Sequence, residues 1–193
     1  MRLGIFGGTF DPVHNGHVEC VLAMRESFSL DEVFFVPSKN PVHKQGRSVA
    51  AAEDRAKMLE LALEGLQGLE LSRIEIDRDT PSYSVLTVKA VRQQNAQADV
   101  FFILGVDAFN ELRTWRDYTD LLHLASFIIL PRNGQVADPG LFAMSDRMYI
   151  ADIDDVDISS SEVRTRIALH QDITGMVPEA VAEYIESRRL YTA

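Results

Sequence analysis

The chain switches repeatedly between two kinds of apolar pattern. Short continuous runs read as buried strands: residues 2–6 (RLGIF), 31–37 (DEVFFVP), 99–105 (DVFFILG), 126–132 (SFIILPR) and the shorter 147–151 (RMYIA). Between them lie stretches with apolar residues three and four apart, which read as amphipathic helices. One runs over about 17–28, with Val18, Val21, Leu22 and Met24 toward a core. A second covers 51–65, with Met58, Leu59, Ala62 and Leu63 on one side and Gly65 as its stop. A third comes after the turn at 80–84 (TPSYS), with Ser82 as its predicted N-cap and Val85, Leu86, Val88 and Val91 as its stripe. Residues 107–125 are helical with a break near Thr114, and 159–169 and 178–191 give two terminal helices. Residues 69–78 (LELSRIEIDR) alternate apolar and polar and predict a further strand with one wet face. Residues 133–147 (NGQVADPGLFAMSDR) read as a surface excursion.

Strands alternating with helices mean βα units and a parallel sheet. Ligands of such a sheet bind at the carboxyl ends of its strands, near the point where strand order reverses. The chemically loaded loops leave from that edge, after residues 2–6, 31–37 and 99–105. There are no internal repeats and no low-complexity tract, and 193 residues predict one domain over 1–193 whose helical C-terminal segment spans about 158–193.

Composition narrows the partners. A hydrophobic share of 46% suffices for a core. A net charge of -10, from 29 acidic and 19 basic side chains, supplies no overall basic face for nucleic acid. A local cationic pocket for a phosphorylated small molecule remains compatible with that balance. The single cysteine, Cys20, permits no intrachain disulfide and suits a reducing, cytoplasmic compartment. The N-terminal apolar run is too short for a signal peptide, and no stretch is long enough for a membrane span.

The densest chemistry is in residues 7–17, GGTFDPVHNGH. Gly7 and Gly8 let backbone amides approach a ligand, and Gly16 leaves room between His14 and His17. Histidines three apart at a helix start share a face, and the helix N-terminus adds free amides and positive dipole character. Together these make a pocket for a phosphate that gains negative charge during reaction. Neither the P-loop pattern nor a G-x-G-x-x-G turn is present, and two histidines without a third spaced ligand are a poor zinc site. Farther on, Ile158, Ser159, Ser160 and Ser161 precede Arg164, so hydroxyls, amides and a guanidinium can clamp a triphosphate.

These two segments resemble the two signatures of the nucleotidylyltransferase superfamily, the H-x-G-H turn and the I-S-S-S-x-V-R helix start. Within it the chain resembles the bacterial nicotinate mononucleotide adenylyltransferases, through PSKNPVHK with Lys44, TPSYS, GVD at 105–107, and Trp115 with Arg116 and Tyr118 after it. The resemblance implies a Rossmann-like doubly wound α/β sheet with helices on both faces and a small helical C-terminal extension. It implies transfer of an adenylyl group from ATP to nicotinate mononucleotide, giving deamido-NAD and pyrophosphate. By the same resemblance His14, His17 and Arg164 act on the ATP phosphates. Gly7, Gly8, Thr9, Phe10, Gly105, Asp107, Ile158, Ser159, Ser160 and Ser161 belong to the ATP site, with Asp107 on a ribose hydroxyl. Lys44, Thr80, Tyr83, Ser84 and Trp115 belong to the mononucleotide site, with Trp115 stacked on the pyridine. Mg²⁺ comes with ATP, held mainly by substrate oxygens and water, and no protein metal site is expected. A homo-oligomer is left open. PRNG stands where the family has R-P-G, which leaves the role of Arg132 open, and Ser161 stands where Thr is common.

Plainer readings exist for several of these residues. Trp115 can be packing, Lys44 a solvated loop cation beside Lys39 and Arg47, Asp107 a helix N-cap, the serines an ordinary helix start, and TPSYS a cap. The run Asp152, Asp154, Asp155 and Asp157 lacks the EF-hand pattern and reads as a solvated edge, and Cys20 as inert. Two rival functions stand beside the main one: another adenylyltransferase of the superfamily, with a nicotinamide mononucleotide or phosphopantetheine acceptor, or a nucleotide-binding module without catalysis.

Overall fold

The continuous apolar runs are explained by a sheet buried on both faces. The computed structural model describes residues 1–39, 49–132, 134–153 and 158–192. Six strands, β1 (Arg2–Gly8), β2 (Glu32–Pro37), β3 (Leu69–Leu71), β4 (Asp99–Gly105), β5 (Ser126–Leu130) and β6 (Met148–Ile150), lie in the order β3-β2-β1-β4-β5-β6. All five pairings are parallel, with Ile5 opposite Phe34 on one side and Phe102 on the other. This is the doubly wound, Rossmann-like order, and its reversal falls between β1 and β4.

The helices are α1 (Asn15–Ser27), α2 (Ala52–Leu63), α3 (Ser84–Gln94), α4 (Val106–Asn110), α5 (Tyr118–Leu124), α6 (Pro139–Phe142), α7 (Ser160–Ala168) and α8 (Glu179–Arg188), with a 3-10 turn at Leu112–Thr114. Alternate strand residues feed two cores. On one face Phe6, Phe35 and Ile103 meet Met24 of α1, Met58 of α2, Val163 of α7 and Ile185 of α8. On the other Ile5, Phe102 and Phe127 meet Val88 of α3, Phe109 of α4, Leu121 of α5 and Leu141 of α6. The C-terminal helices therefore pack into the first core, and the expected helical extension is part of the fold.

Four local expectations are corrected. Helix α1 starts at Asn15 rather than near His17, and Leu22 lies 38% exposed instead of in the core. The alternating segment 69–78 is a strand only over Leu69–Leu71. Beyond it the Ser72 amide donates to the Phe35 carbonyl at 2.9 Å, and the Asp77 amide closes a turn onto Arg73. The supposed wet face of that segment is consumed by specific partners. Arg73 pairs with Glu53 and Asp77, and buried Glu75 accepts from the Thr87 hydroxyl at 2.5 Å. Ser82 does not cap α3: the N-cap is Tyr83, and the Ser82 hydroxyl instead accepts from the Lys39 amide at 3.1 Å. Residues 134–147 are more than an excursion. Asp138 caps α6 through the amides of Gly140 and Leu141, Asn110 bonds the backbone of Val136 and Asp138, and Leu141 is fully buried.

That last point sets a stability test. Leu141→Ala should cost about 2–4 kcal/mol, as for loss of a buried leucine. Val136→Ala, at an 81% exposed site in the same segment, should stay within about 0.5 kcal/mol of the parent. Urea unfolding of both variants checks this; equal effects would return the segment to a surface excursion.

Candidate functional site

Strands β1 and β4 end side by side in glycine, and over each glycine folds the side chain of the residue two places farther along the chain. A Cβ on Gly8 would stand 2.8 Å from the Phe10 ring, and one on Gly105 would stand 2.5 Å from Asp107 Oδ1. Phe10 can fold back over Gly8 because its backbone adopts the left-handed region, φ 51°. Its ring meets Phe6, Phe35 and His17 at centroid distances of 5.5, 5.7 and 5.1 Å.

The chain then turns into α1 with His14 as N-cap. The His14 amide donates to His17 Nδ1 at 3.2 Å, and the His17 amide donates to the His14 carbonyl at 2.9 Å. The two rings stack, with centroids 3.6 Å apart. His14 is only 7% exposed, and its Nδ1 has no hydrogen-bond partner among the described residues. Burial, and then the nearby Arg132 charge, lower its pKa from 6.5 to about 4. At neutral pH it is therefore an uncharged imidazole at an open helix start.

Two cavities meet on this glycine floor. The larger, about 490 Å³, is lined by Thr9, Glu75, Tyr83, Ser84, Trp115 and Arg116 among others. The smaller, about 230 Å³, is lined by Phe10, His14, His17, Cys20, Arg132 and Ile158 among others. Gly7, Gly8, Gly105 and Asp107 belong to both. Asp107 sits in the first turn of α4, whose N-cap is Gly105, so it is not the cap. Its carboxylate lies 3.2 Å from Arg132, both half exposed, a pair worth little on its own in water.

The second signature reaches the first from behind the loop. Ser159 caps α7 by accepting the Glu162 amide at 3.1 Å. The Ser160 hydroxyl donates to the Pro12 carbonyl at 2.9 Å. Arg164 Nη1 donates to the Asp11 carbonyl at 2.7 Å, and Nη2 donates to Ser161 Oγ at 3.2 Å. Among the described residues that line the two cavities, Ser159, Ser160, Ser161 and Arg164 do not figure. Thr80 is exposed and also off the wall, while Lys44 lies outside the described residues, as do Asp154, Asp155 and Asp157. Trp115 both lines the larger cavity and packs edge-on against Phe102 at 6.1 Å. The Tyr83 amide is already bonded to the Pro81 carbonyl at 2.8 Å, so it is not a free donor to a ligand.

Sequence reasoning misses Glu75, Arg55, Asp11 and Tyr191. Glu75 reads as one polar position in an apparent wet strand. Arg55 and Tyr191 read as ordinary helix-surface residues, and Asp11 as half of a D-P turn. In sequence Arg116 is merely the neighbour of Trp115, yet its guanidinium covers the Tyr83 ring at 5.0 Å. Among the described residues no group of three or more His, Cys, Asp or Glu could hold a metal ion, and no helix is long and apolar enough to cross a membrane.

A nucleotide-sized pair of clefts at the switch point of a doubly wound sheet, with stacked histidines at a helix start, defines a nucleotide-handling fold. The family model described as cytidylyltransferase-like matches residues 5–166, and the chain belongs to that family. Among its curated relatives, the probable nicotinate-nucleotide adenylyltransferase of Desulfatibacillum aliphaticivorans is 38% identical across 99% of this chain and 100% of its own. The protein of the same description from Streptomyces coelicolor is 41% identical across 96% and 98%. Among solved structures, Plasmodium falciparum nicotinic acid mononucleotide adenylyltransferase complexed with NaAD has the same fold. Its TM-score is 0.80 at 23% identity, covering 98% of this chain and 97% of that one.

The buried imidazole generates a pH signature. Unfolded, His14 takes its proton near pH 6.5; folded, near 4. Between those values the unfolded chain binds more protons, so this residue lowers stability as pH falls through that window, by about 3 kcal/mol in all. His14→Gln should lack the effect. The stability difference between wild type and variant, from urea unfolding at pH 7 and pH 4.5, should shift against wild type at the lower pH. Parallel pH curves would mean that His14 is not held neutral.

Proposed function

We propose that this protein transfers the adenylyl group of ATP to nicotinate mononucleotide, releasing deamido-NAD and pyrophosphate. The observation that carries this reading is the pair of cavities sharing one glycine floor, since two nucleotides must meet there phosphate to phosphate. The curated relatives, matched over nearly the whole chain, support it.

ATP takes the smaller cavity, with its phosphates at the start of α1. His14 and His17 donate to them, Arg164 and the serines at the start of α7 steady the loop and the triphosphate, and Asp107 accepts a ribose hydroxyl. Gly7, Gly8, Thr9, Phe10, Gly105 and Ile158 complete that site. The mononucleotide takes the larger cavity, its pyridine against Trp115 and its carboxylate toward Ser84 at the start of α3, with Tyr83 and Arg116 beside it. Thr80 and Lys44 are carried as expected partners of the same substrate. A phosphate oxygen of the mononucleotide attacks the α-phosphorus while the bond to the β-phosphate breaks. That oxygen is already anionic at neutral pH, so no general base is required. The protein aligns the two phosphates and stabilises charge moving onto pyrophosphate. A neutral His14 suits this as a donor aimed at charge that appears late. A Mg²⁺ bound with ATP would be held by substrate oxygens and water and would supply charge neutralisation at the phosphates. The compartment of the reaction is the cytoplasm.

His17→Ala should lower kcat by about 10²- to 10³-fold, as for removal of one preorganised donor, with ATP affinity changing far less. Near-normal turnover would exclude its phosphate role. Trp115→Ala should weaken mononucleotide binding by about 1–3 kcal/mol, by analogy with base stacking, and leave ATP binding unchanged. A variant that only melts earlier would make Trp115 packing alone.

The acceptor is tested by competition between nicotinate and nicotinamide mononucleotides in one pyrophosphate-release assay. The open start of α3 and the Arg116 charge favour an acid over an amide, so kcat/KM should favour the acid at least about tenfold. Equal use, or preference for the amide, would overturn the acceptor assignment.

A further inference from the structure

The C-terminal segment reaches the site through one hydroxyl. Past the end of α8 the chain turns back, with Arg189 and Tyr191 both in the left-handed backbone region at φ 50° and 62°. Arg189 is the C-cap of α8, its turn closed by the Leu190 amide on the Ile185 carbonyl at 3.0 Å, whereas Tyr191 holds its unusual backbone beside a tertiary contact. The contact at Tyr191 is explicit: its hydroxyl donates to Asp11 Oδ1 at 2.8 Å. Asp11 is 1% exposed. Its Oδ1 also accepts the Ala50 amide at 3.0 Å, and its Oδ2 lies 3.7 Å from Arg164 Nη1. The same guanidinium nitrogen donates to the Asp11 carbonyl at 2.7 Å. Buried Arg55 faces the same carboxylate and holds the Thr9 carbonyl at 2.7 Å. Burial, and then the Asp11 charge, push the Tyr191 hydroxyl well above its usual pKa, so it is a permanent donor.

We propose that Tyr191 is a positioning residue: through Asp11 it fixes the Arg164 guanidinium and the loop carrying Thr9 and His14, so that the last turn of the chain sets the geometry of phosphate binding. The inference rests on the adenylyl-transfer reading for its effect on turnover, but its structural half does not. Asp11 Oδ1 is shared between the Tyr191 hydroxyl and the Ala50 amide, while Oδ2 is turned toward Arg164. Removing the Tyr191 hydroxyl leaves Oδ1 with the Ala50 amide alone, so the carboxylate gains rotational freedom and the contact of its Oδ2 with Arg164 is no longer fixed.

Tyr191→Phe keeps the ring and removes the bond. Two readouts are measured. Phenylglyoxal labelling of Arg164 in the ligand-free protein, resolved by peptide mass and referred to half-exposed Arg166, should become about fivefold faster as the guanidinium loosens. Turnover with ATP and nicotinate mononucleotide should fall about tenfold in kcat, with the mononucleotide KM within about twofold of wild type. Tyr184→Phe is the control. It removes a hydroxyl bond of the same segment, 2.8 Å to Asp54 on α2, without touching Asp11, and should leave both labelling and kcat unchanged. Asp11→Asn tests the link from its other end and should also speed Arg164 labelling. Unchanged Arg164 labelling in Tyr191→Phe, or an equal change in Tyr184→Phe, overturns the proposal. If the wild type itself makes no pyrophosphate with this acceptor, the reading of the reaction fails while the labelling still decides the positioning.

Discussion

A full positive charge in the interior organises the edge of this sheet. Arg55 rises from α2 and is 1% exposed, where an isolated ion would cost several kcal/mol. Burial lowers its pKa and the Asp11 carboxylate opposes that shift. Its donors are used on carbonyls: Ala50 at 3.0 Å, Thr9 at 2.7 Å, Ser38 at 2.7 Å and Lys39 at 3.3 Å. Thr9 lies just past β1, while Ser38 and Lys39 lie just past β2. A leucine at this position would fill space equally well but could not tell those loops where to end. One guanidinium thus fixes two loops that would otherwise have unpaired carbonyls beside a cleft.

With those loops fixed, the strand ends can stay bare. Strand order reverses between β1 and β4, so the helices after them leave on opposite faces and a crevice opens at their shared edge. Gly8 and Gly105 line that crevice with the side chains two places on, Phe10 and Asp107, folded close over them. The same two residues, Phe10 and Asp107, then divide the crevice: Phe10 borders only the smaller cavity, and Asp107 stands where the two join. The division comes from backbone geometry, before any ligand is considered.

The parallel sheet, its helices and the glycine-histidine loop are legible in the sequence because each rests on local pattern. Apolar runs such as 99–105 have only one stable environment, and β4 is indeed central. Pattern without partners is where the reading fails. Residues 69–78 alternate like a strand, but alternation records only which side chains are buried, not what buries them. Glu75 is satisfied by Thr87 of α3, well away from the short ladder that β2 offers β3, and the chain leaves the sheet to reach it. The expected cap at Ser82 fails for a similar reason: its hydroxyl meets the Lys39 amide, which only the fold brings near. The charged knot of Arg55, Asp11, Arg164 and Tyr191 spans residues from the first loop to the last turn, and spacing carries no trace of such pairings.

A chain with a net charge of -10 must still suit two phosphorylated substrates. The acidic surplus repels polyanions at long range, and solvent salt screens that repulsion within about 10 Å. At contact the balance is nearly even: the two cavities are lined by Glu75, Asp107 and Glu111 against Arg116 and Arg132. The crevice offers Arg132, helix N-termini and polar hydrogens, and Arg164 stands close behind the loop with its charge partly balanced by Asp11. The one carboxylate that both cavities share among the described residues, Asp107, is already paired with Arg132. Such a site gains little from steering and much from fit. A small anion that enters the crevice leaves the acidic exterior behind it. The acidity of the whole and the near-balanced charge of the cleft therefore leave recognition of a phosphate to backbone amides and shape rather than to net charge.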